Sequence, residues 1–234
     1  MGGEAREFPP TRWTLVRSAA QGPEARRAAM EELLALYWKP LYVYARRKGR
    51  SVEDAKDAVQ GFCAHLLDRD FLARLDPGKG RLRAYLRASL DHYLINEHER
   101  EAAQKRGGGA RIFSLDIDVA ERELGGGADE PGAAFDRAWA VGVMDRALGR
   151  LRQEFETGRR AGPFELVRAF FGFGPAPSYE EAARAHGMSL PQLKAFLHRS
   201  RERFRELVRE EVAHTVDGDE AESEITQLLR ALGS

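Results

Sequence analysis

The chain has one cysteine, Cys63, among 234 residues. That excludes a disulfide scaffold and a thiolate metal cluster. No apolar run approaches the roughly 18 residues that a membrane-spanning helix needs, so no membrane insertion is expected. The first eight residues carry Glu4, Arg6 and Glu7 and no apolar stretch, so a secretory leader is not expected and a reducing, cytoplasmic location is. Net charge is also lacking, with 37 basic and 37 acidic side chains. Strand signals are few, the best lying between Ile112 and Val119, and no repeat of 20–50 residues is visible. What remains is 43% hydrophobic and 32% charged, with a mean hydropathy of −0.51. That is enough apolar material for a core and excludes wholesale disorder.

The zero net charge hides segregation. Residues 79–111 hold eight basic and four acidic side chains, a net +4. Residues 194–209 hold six and two, again +4, and residues 210–234 hold one and seven, a net −6. Two basic stretches and an acidic tail suggest two anion-binding surfaces, although solvated helix faces would have the same charge.

Apolar residues recur at helical spacing almost throughout. Thr11 can cap a short helix, and Pro23 suits the first turn of the next, which Lys39-Pro40 should kink or break. Ser51 caps a helix with Ala55, Ala58, Val59, Phe62 and Leu66 on one face. Leu82, Leu86, Leu90 and Leu94 mark another helix, running to Arg100. Two glycine runs, Gly107–Gly109 and Gly125–Gly127, bracket a linker over 107–134. The expected fold class is all-α, two helical domains joined by this Gly-rich linker. A short helix is expected in the acidic tail, which either folds back to screen the basic helix before it or stays solvated.

The most specific local signal begins at Ser178. Ser178 and Glu181 form one capping box and Ser189 and Gln192 a second, with Gly187 between them. Two short helices joined by a turn that opens on glycine make a helix-turn-helix. Ala183 must be small for the helices to cross closely, and Gly187 must leave the helix at positive φ. With Leu193 and Leu197 inward, Gln192, Lys194, Ala195, His198, Arg199 and Arg201 remain for DNA. Gln192 can pair with adenine and Arg199 with guanine or phosphate, while Lys194 and Arg201 suit phosphates. A generic helical hairpin is the alternative.

No catalytic or metal site is expected, and no cofactor. His92 and His98 are six residues apart, about 120° off one helix face, so they do not make a metal pair. Gly107–Gly109 lacks the Gly-Lys-Ser/Thr ending of a phosphate loop. Cys63 sits on an apolar helix face as a core residue.

The order of parts resembles the extracytoplasmic-function sigma factors of the bacterial sigma-70 family, over nearly the whole chain from Thr11 to about Val212. Tyr37-Trp38-Lys39-Pro40-Leu41-Tyr42 resembles the opening of sigma region 2. Asp54-Ala55-Lys56-Asp57-Ala58-Val59-Gln60-Gly61-Phe62 resembles the polymerase-docking helix. Arg83-Ala84-Tyr85-Leu86 and the helix to Arg100 resemble the stretch that melts and reads the −10 element. Ser178 to Leu207 resembles region 4, which reads the −35 element. The resemblance implies a region 2-like bundle at 11–106, a linker at 107–134, a region 4-like helix-turn-helix domain at 135–214 and an acidic C-terminal tail at 215–234. It implies polymerase contacts at Asp54, Asp57, Gln60 and Phe62. It implies DNA contacts at Arg83, Tyr85, Arg87, His92, Asn96 and Arg100, and again at Ser189, Gln192, Lys194, His198, Arg199 and Arg201. Lys56 and Gly61 replace acids that many members carry, and Ala195-Phe196 replaces the usual Ser-Arg. The implied function is promoter-specific transcription initiation, not enzymatic catalysis. The implied partners are the β and β′ subunits of core RNA polymerase, promoter DNA, and an anti-sigma or other regulatory protein. A helix-turn-helix regulator working without polymerase, or a sigma-like decoy, are the competing readings.

Overall fold

The computed structural model describes residues 23–66, 82–103, 116–124, 129–158, 162–213 and 221–233. Among them every regular element is helical, and no strand occurs. The expected Thr11 helix, Gly107–Gly109, Gly125–Gly127 and Ile112 to Leu115 lie outside the described residues. The elements fall into two compact units, one of Met1–Gly142 with Val212–Ser234 and one of Val143–Glu211.

In the first unit α1 (Pro23–Arg47) opens on proline with Glu24 in its first turn and closes on Arg46 and Arg47, which suits the helix dipole at both ends. Pro40 does not break α1 as the sequence predicts. It lies inside one continuous helix. Interior proline costs about 3 kcal/mol, but Leu36, Tyr37, Leu41 and Tyr42 around it are all buried. Each buried large side chain returns about 1.5–3 kcal/mol, so packing holds the helix together where propensity would end it.

Helix α2 (Val52–Leu66) starts at Ser51, whose hydroxyl oxygen accepts the Asp54 amide at 3.1 Å. It buries Ala55, Ala58, Val59, Phe62, Cys63 and Leu66, the i, i+3, i+4 stripe expected of a core-facing helix. Helix α3 (Leu82–Ala103) buries Leu82, Leu86, Leu90 and Leu94 in the same way. Both pack on α1 and on each other. Burial pushes the Cys63 thiol up to about 12. An aromatic disulfide reagent at pH 8 should therefore label Cys63 at least about a thousandfold more slowly than a free thiol of pKa near 8.5. Full labelling within minutes in native buffer would contradict this placement.

The range assigned to a linker contains a helix, α4 (Ile117–Leu124). Asp116 caps it, its carboxylate accepting the Val119 amide at 3.2 Å. Ile117 to Val119, part of the best strand signal, are thus helical, because the cap and the buried Ala120 set a helical period. Arg46 and the Tyr42 hydroxyl both hold Glu121, at 2.8 and 2.7 Å. The Arg46 hydrogen bond keeps the Glu121 carboxyl below its usual range. A segment fastened this way to α1 is part of the first unit rather than a free tether.

Helix α5 (Pro131–Glu156) contributes Phe135 and Trp139 to the first unit and Val143, Ala147 and Leu151 to the second. The second unit continues through α6 (Phe164–Arg168), a π-helical turn at Ala169–Phe173, α7 (Tyr179–Ala185) and α8 (Leu190–Ala213). Gly172 leaves the turn at φ +89°, in the region that favours glycine. The tail forms α9 (Ala221–Gly233), which belongs to the first unit.

Candidate nucleic-acid interface

The geometry around α7 and α8 follows from side-chain chemistry three residues apart. The Ser178 hydroxyl oxygen accepts the Glu181 amide at 3.2 Å, and the Glu181 carboxylate accepts the Ser178 amide at 2.9 Å. The Ser178 hydroxyl also donates to the Glu181 carboxylate at 2.8 Å, and that bond first, then the Ser178 amide, holds the carboxyl below its ordinary range. Helix α7 ends at His186, and Gly187 takes φ +62°. The Met188 amide then donates to the Ala183 carbonyl at 2.9 Å, closing the helix end. Ala182 and Ala183 are buried, as a close crossing requires. His186, at a position where an apolar residue is usual in such units and half-burial was expected, is exposed.

The second capping box has a consequence for recognition. The Ser189 amide donates to Gln192 Oε1 at 2.7 Å, and the Gln192 amide donates to Ser189 Oγ at 3.4 Å. The side chain read as a base reader is therefore also the cap of its own helix. Bidentate pairing with adenine needs both its amide oxygen and its amide nitrogen, so contact with a base requires Gln192 to share or release its cap.

Along α8, Leu193, Phe196, Leu197, Ser200, Phe204, Leu207 and Val208 face inward. Ser189, Gln192, Lys194, Ala195, His198 and Arg199 are exposed, and Arg201 is half-buried. At 100° per residue, 192, 195 and 199 form one row and 194, 198 and 201 the next. Lys194 Nζ stands 6.0 Å from the Tyr179 ring centre, and Arg201 lies 5.9 Å from that of Phe171. Arg203 faces elsewhere, bonding Glu154 at 2.7 Å, Glu206 at 2.9 Å and Glu210 at 3.1 Å. These carboxylates, Glu154 foremost, hold its guanidinium more firmly protonated than usual. Arg205 likewise pairs with Glu202 at 2.5 Å, so at least two of the six basic side chains counted in the sequence are ion-paired within the unit.

Phe196 corrects the reading of Ala195-Phe196 as a change on the recognition surface. It is buried, edge-on to Phe155 with ring centres 6.1 Å apart. Gly162, which the sequence reading passed over, makes room for it. A Cβ at Gly162 would stand 2.5 Å from Phe196 Cε2, and φ there is +122°. The spacing of Leu193, Phe196, Leu197, Ser200 and Phe204 was the available signal.

The first unit divides its candidates between surface and core. On α2, Asp54 and Asp57 are exposed and Gln60 is half-buried. Phe62 is fully buried, its ring 5.7 Å from that of Tyr93, so it is a core residue and not a surface contact. Gly61 is explained by the same aromatic group, since a Cβ there would meet the Tyr93 hydroxyl at 2.3 Å. Lys56 pairs with Glu53 at 3.3 Å. On α3, His92 and Asn96 are exposed and Tyr85 and Arg87 half-buried. The side chain of Arg100 lies outside the described residues.

Arg83 differs most from expectation. It is only 5% exposed. Its Nε donates to Glu224 Oε1 at 2.5 Å and its Nη2 to Glu224 Oε2 at 3.2 Å. Asp136 and Gln227 accept its remaining bonds, and the guanidinium lies 4.7 Å from the Trp139 ring centre. Burial opposes its charge, but the Glu224 hydrogen bond and the two carboxylates outweigh burial and raise its pKa. Glu224 is itself fully buried. The tail therefore meets α3 through Glu224, where charge balance alone pointed to the recognition helix.

Among the described residues no helix is long and apolar enough to cross a membrane. No protein-family model matches the chain, and neither a curated protein nor a solved structure matches it.

Proposed function

We propose that this chain is a sigma factor of the extracytoplasmic-function type, which binds core RNA polymerase in the cytoplasm and directs it to specific promoters. In this reading the exposed Asp54–Asp57 side of α2 docks on the polymerase clamp. The outer side of α3 works on the −10 element, and the first turns of α8 read the −35 element. The observation that carries it is the α7–α8 unit, with two capping boxes, Gly187 at φ +62° and the exposed Gln192–Arg199 and Lys194–His198 rows. An exposed basic row on a capped second helix is the arrangement that enters a major groove. Sequence-specific partners of this kind need no reaction centre, metal or cofactor.

Docking is tested by charge reversal. Asp57 is exposed, so Asp57→Arg should leave stability within about 0.5 kcal/mol. It should weaken binding to core polymerase about tenfold or more, since like charges facing each other across an interface suppress association. Unchanged affinity in titration would reject this docking surface.

The double use of Gln192 yields a separate expectation. Gln192→Glu keeps an acceptor for the Ser189 amide and removes the donor needed for adenine. Selection of preferred sites should then shift at one base pair without loss of helix stability. Gln192→Ala should shift the same base pair and also weaken the cap, by about 0.5–2 kcal/mol. An identical selected site for all three proteins would show that Gln192 acts only as a cap.

A further inference from the structure

The Arg83 cluster joins residues distant in sequence around one buried cation, and only one of its anions comes from a detachable element. Among the described side chains of α9, Glu224 and Leu228 are buried. Leu229 is 63% exposed and Leu232 39%. The helix has 13 residues, near the limit of about 12–15 below which an isolated helix is marginal in water. With so little apolar contact, α9 belongs to the low-stability end of the fold. A bidentate ion pair inside the protein joins it to α3.

The chemistry of that pair is shared by another ligand. A guanidinium fork that takes a carboxylate in two parallel bonds takes a phosphodiester in the same geometry. The Trp139 ring lies under the guanidinium, 4.7 Å from ring centre to Cζ, and its face supports a cation whichever anion the fork holds. Replacing Glu224 by one backbone phosphate exchanges one negative charge for one, so Asp136 keeps the same electrostatic surroundings.

Building on the reading of α3 as the element that handles separated DNA strands, we propose that Arg83, backed by the Trp139 ring, is a backbone-phosphate site for single-stranded nucleic acid. Glu224 occupies that site in the free protein as an internal competitor. Helix α9 is then a latch. A strand that reaches Arg83 releases it, and losing the latch makes the strand bind more tightly.

The test uses the full chain, its Glu224→Ala and Glu224→Gln variants and the Arg83→Ala/Glu224→Ala double variant. The probe is a labelled oligothymidylate of about twenty nucleotides at about 50 mM salt. Two quantities are read, hydrogen exchange over residues 221–233 and affinity as a function of salt. Glu224→Ala should raise exchange in α9 and tighten oligothymidylate binding about tenfold. It should steepen the dependence of log affinity on log salt by about 0.7, the value for one added phosphate contact on a single strand. Glu224→Gln, which keeps the shape and removes the charge, should change both in the same direction, and the double variant should lose the gain. By reciprocity, oligothymidylate should accelerate exchange in α9 of the unaltered protein. Protected α9 amides in Glu224→Ala would overturn the latch, and exposed α9 with unchanged affinity and salt slope would overturn the phosphate site. Neither readout involves polymerase, so failure of polymerase binding would reject the proposed function and leave these results standing.

Discussion

Phe62→Ala should destabilise the first unit by about 3–5 kcal/mol, the usual cost of removing a buried ring. The ring is fully buried and packs against Tyr93, which also lies beside the His65 ring at 5.9 Å. Collapse of the site is limited because α1, α2 and α3 converge on it. At roughly 2–4 °C per kcal/mol for a domain of this size, the unit's thermal midpoint should fall by about 6–20 °C. A side chain serving only as a surface contact for polymerase would leave that midpoint unchanged and lower polymerase affinity alone. Calorimetry on the purified variant separates the two roles. A midpoint within about 1 °C of the parent would contradict the core placement.

Gly162→Ala should be nearly as damaging in the second unit, although it adds one methyl group to an exposed corner. The backbone at φ +122° disfavours any side chain, and the new Cβ would sit 2.5 and 2.8 Å from two atoms of the Phe196 ring. A left-handed conformation costs about 1–2 kcal/mol for a residue with a Cβ. Forcing an extra carbon into a packed cluster costs about 1–3 kcal/mol. The sum, about 2–5 kcal/mol, should appear in denaturant unfolding. Phe196→Leu in the Gly162→Ala background should recover the packing part and leave the backbone part. Under the proposed function the strained variant should also bind duplex DNA more weakly, because Phe196 lies on α8 beside Leu197. A cost under about 0.5 kcal/mol would mean that the ring moves aside freely.

These cases divide what sequence reveals from what it hides. Both capping boxes, the positive φ of Gly187 and the inward Leu193 and Leu197 were legible, because each depends on residues within a few positions of one another. The continuation of α1 through Pro40 was not, since proline acts locally while the burial of Tyr37, Leu41 and Tyr42 that offsets it is tertiary. Period alone placed Phe62 on an inward face, and the resemblance assigned it to a surface; the structure agrees with the period. Charge counting located the basic stretches but not their partners. Arg83 finds Glu224 at a separation of 141 residues, and Arg203 finds Glu154 at 49. No property of either arginine's neighbours in sequence signals such a pairing. The surface proposed for nucleic acid is what is left after these internal pairs form.

The central claim is most directly tested by transcription. Bacterial core polymerase would be incubated with fragments of the genome that encodes the chain, with and without the chain, and the 5′ ends of the transcripts sequenced. The account predicts new start sites that depend on the chain, share two upstream elements at fixed spacing, and disappear with Asp57→Arg. A set of start sites identical with and without the chain would contradict it.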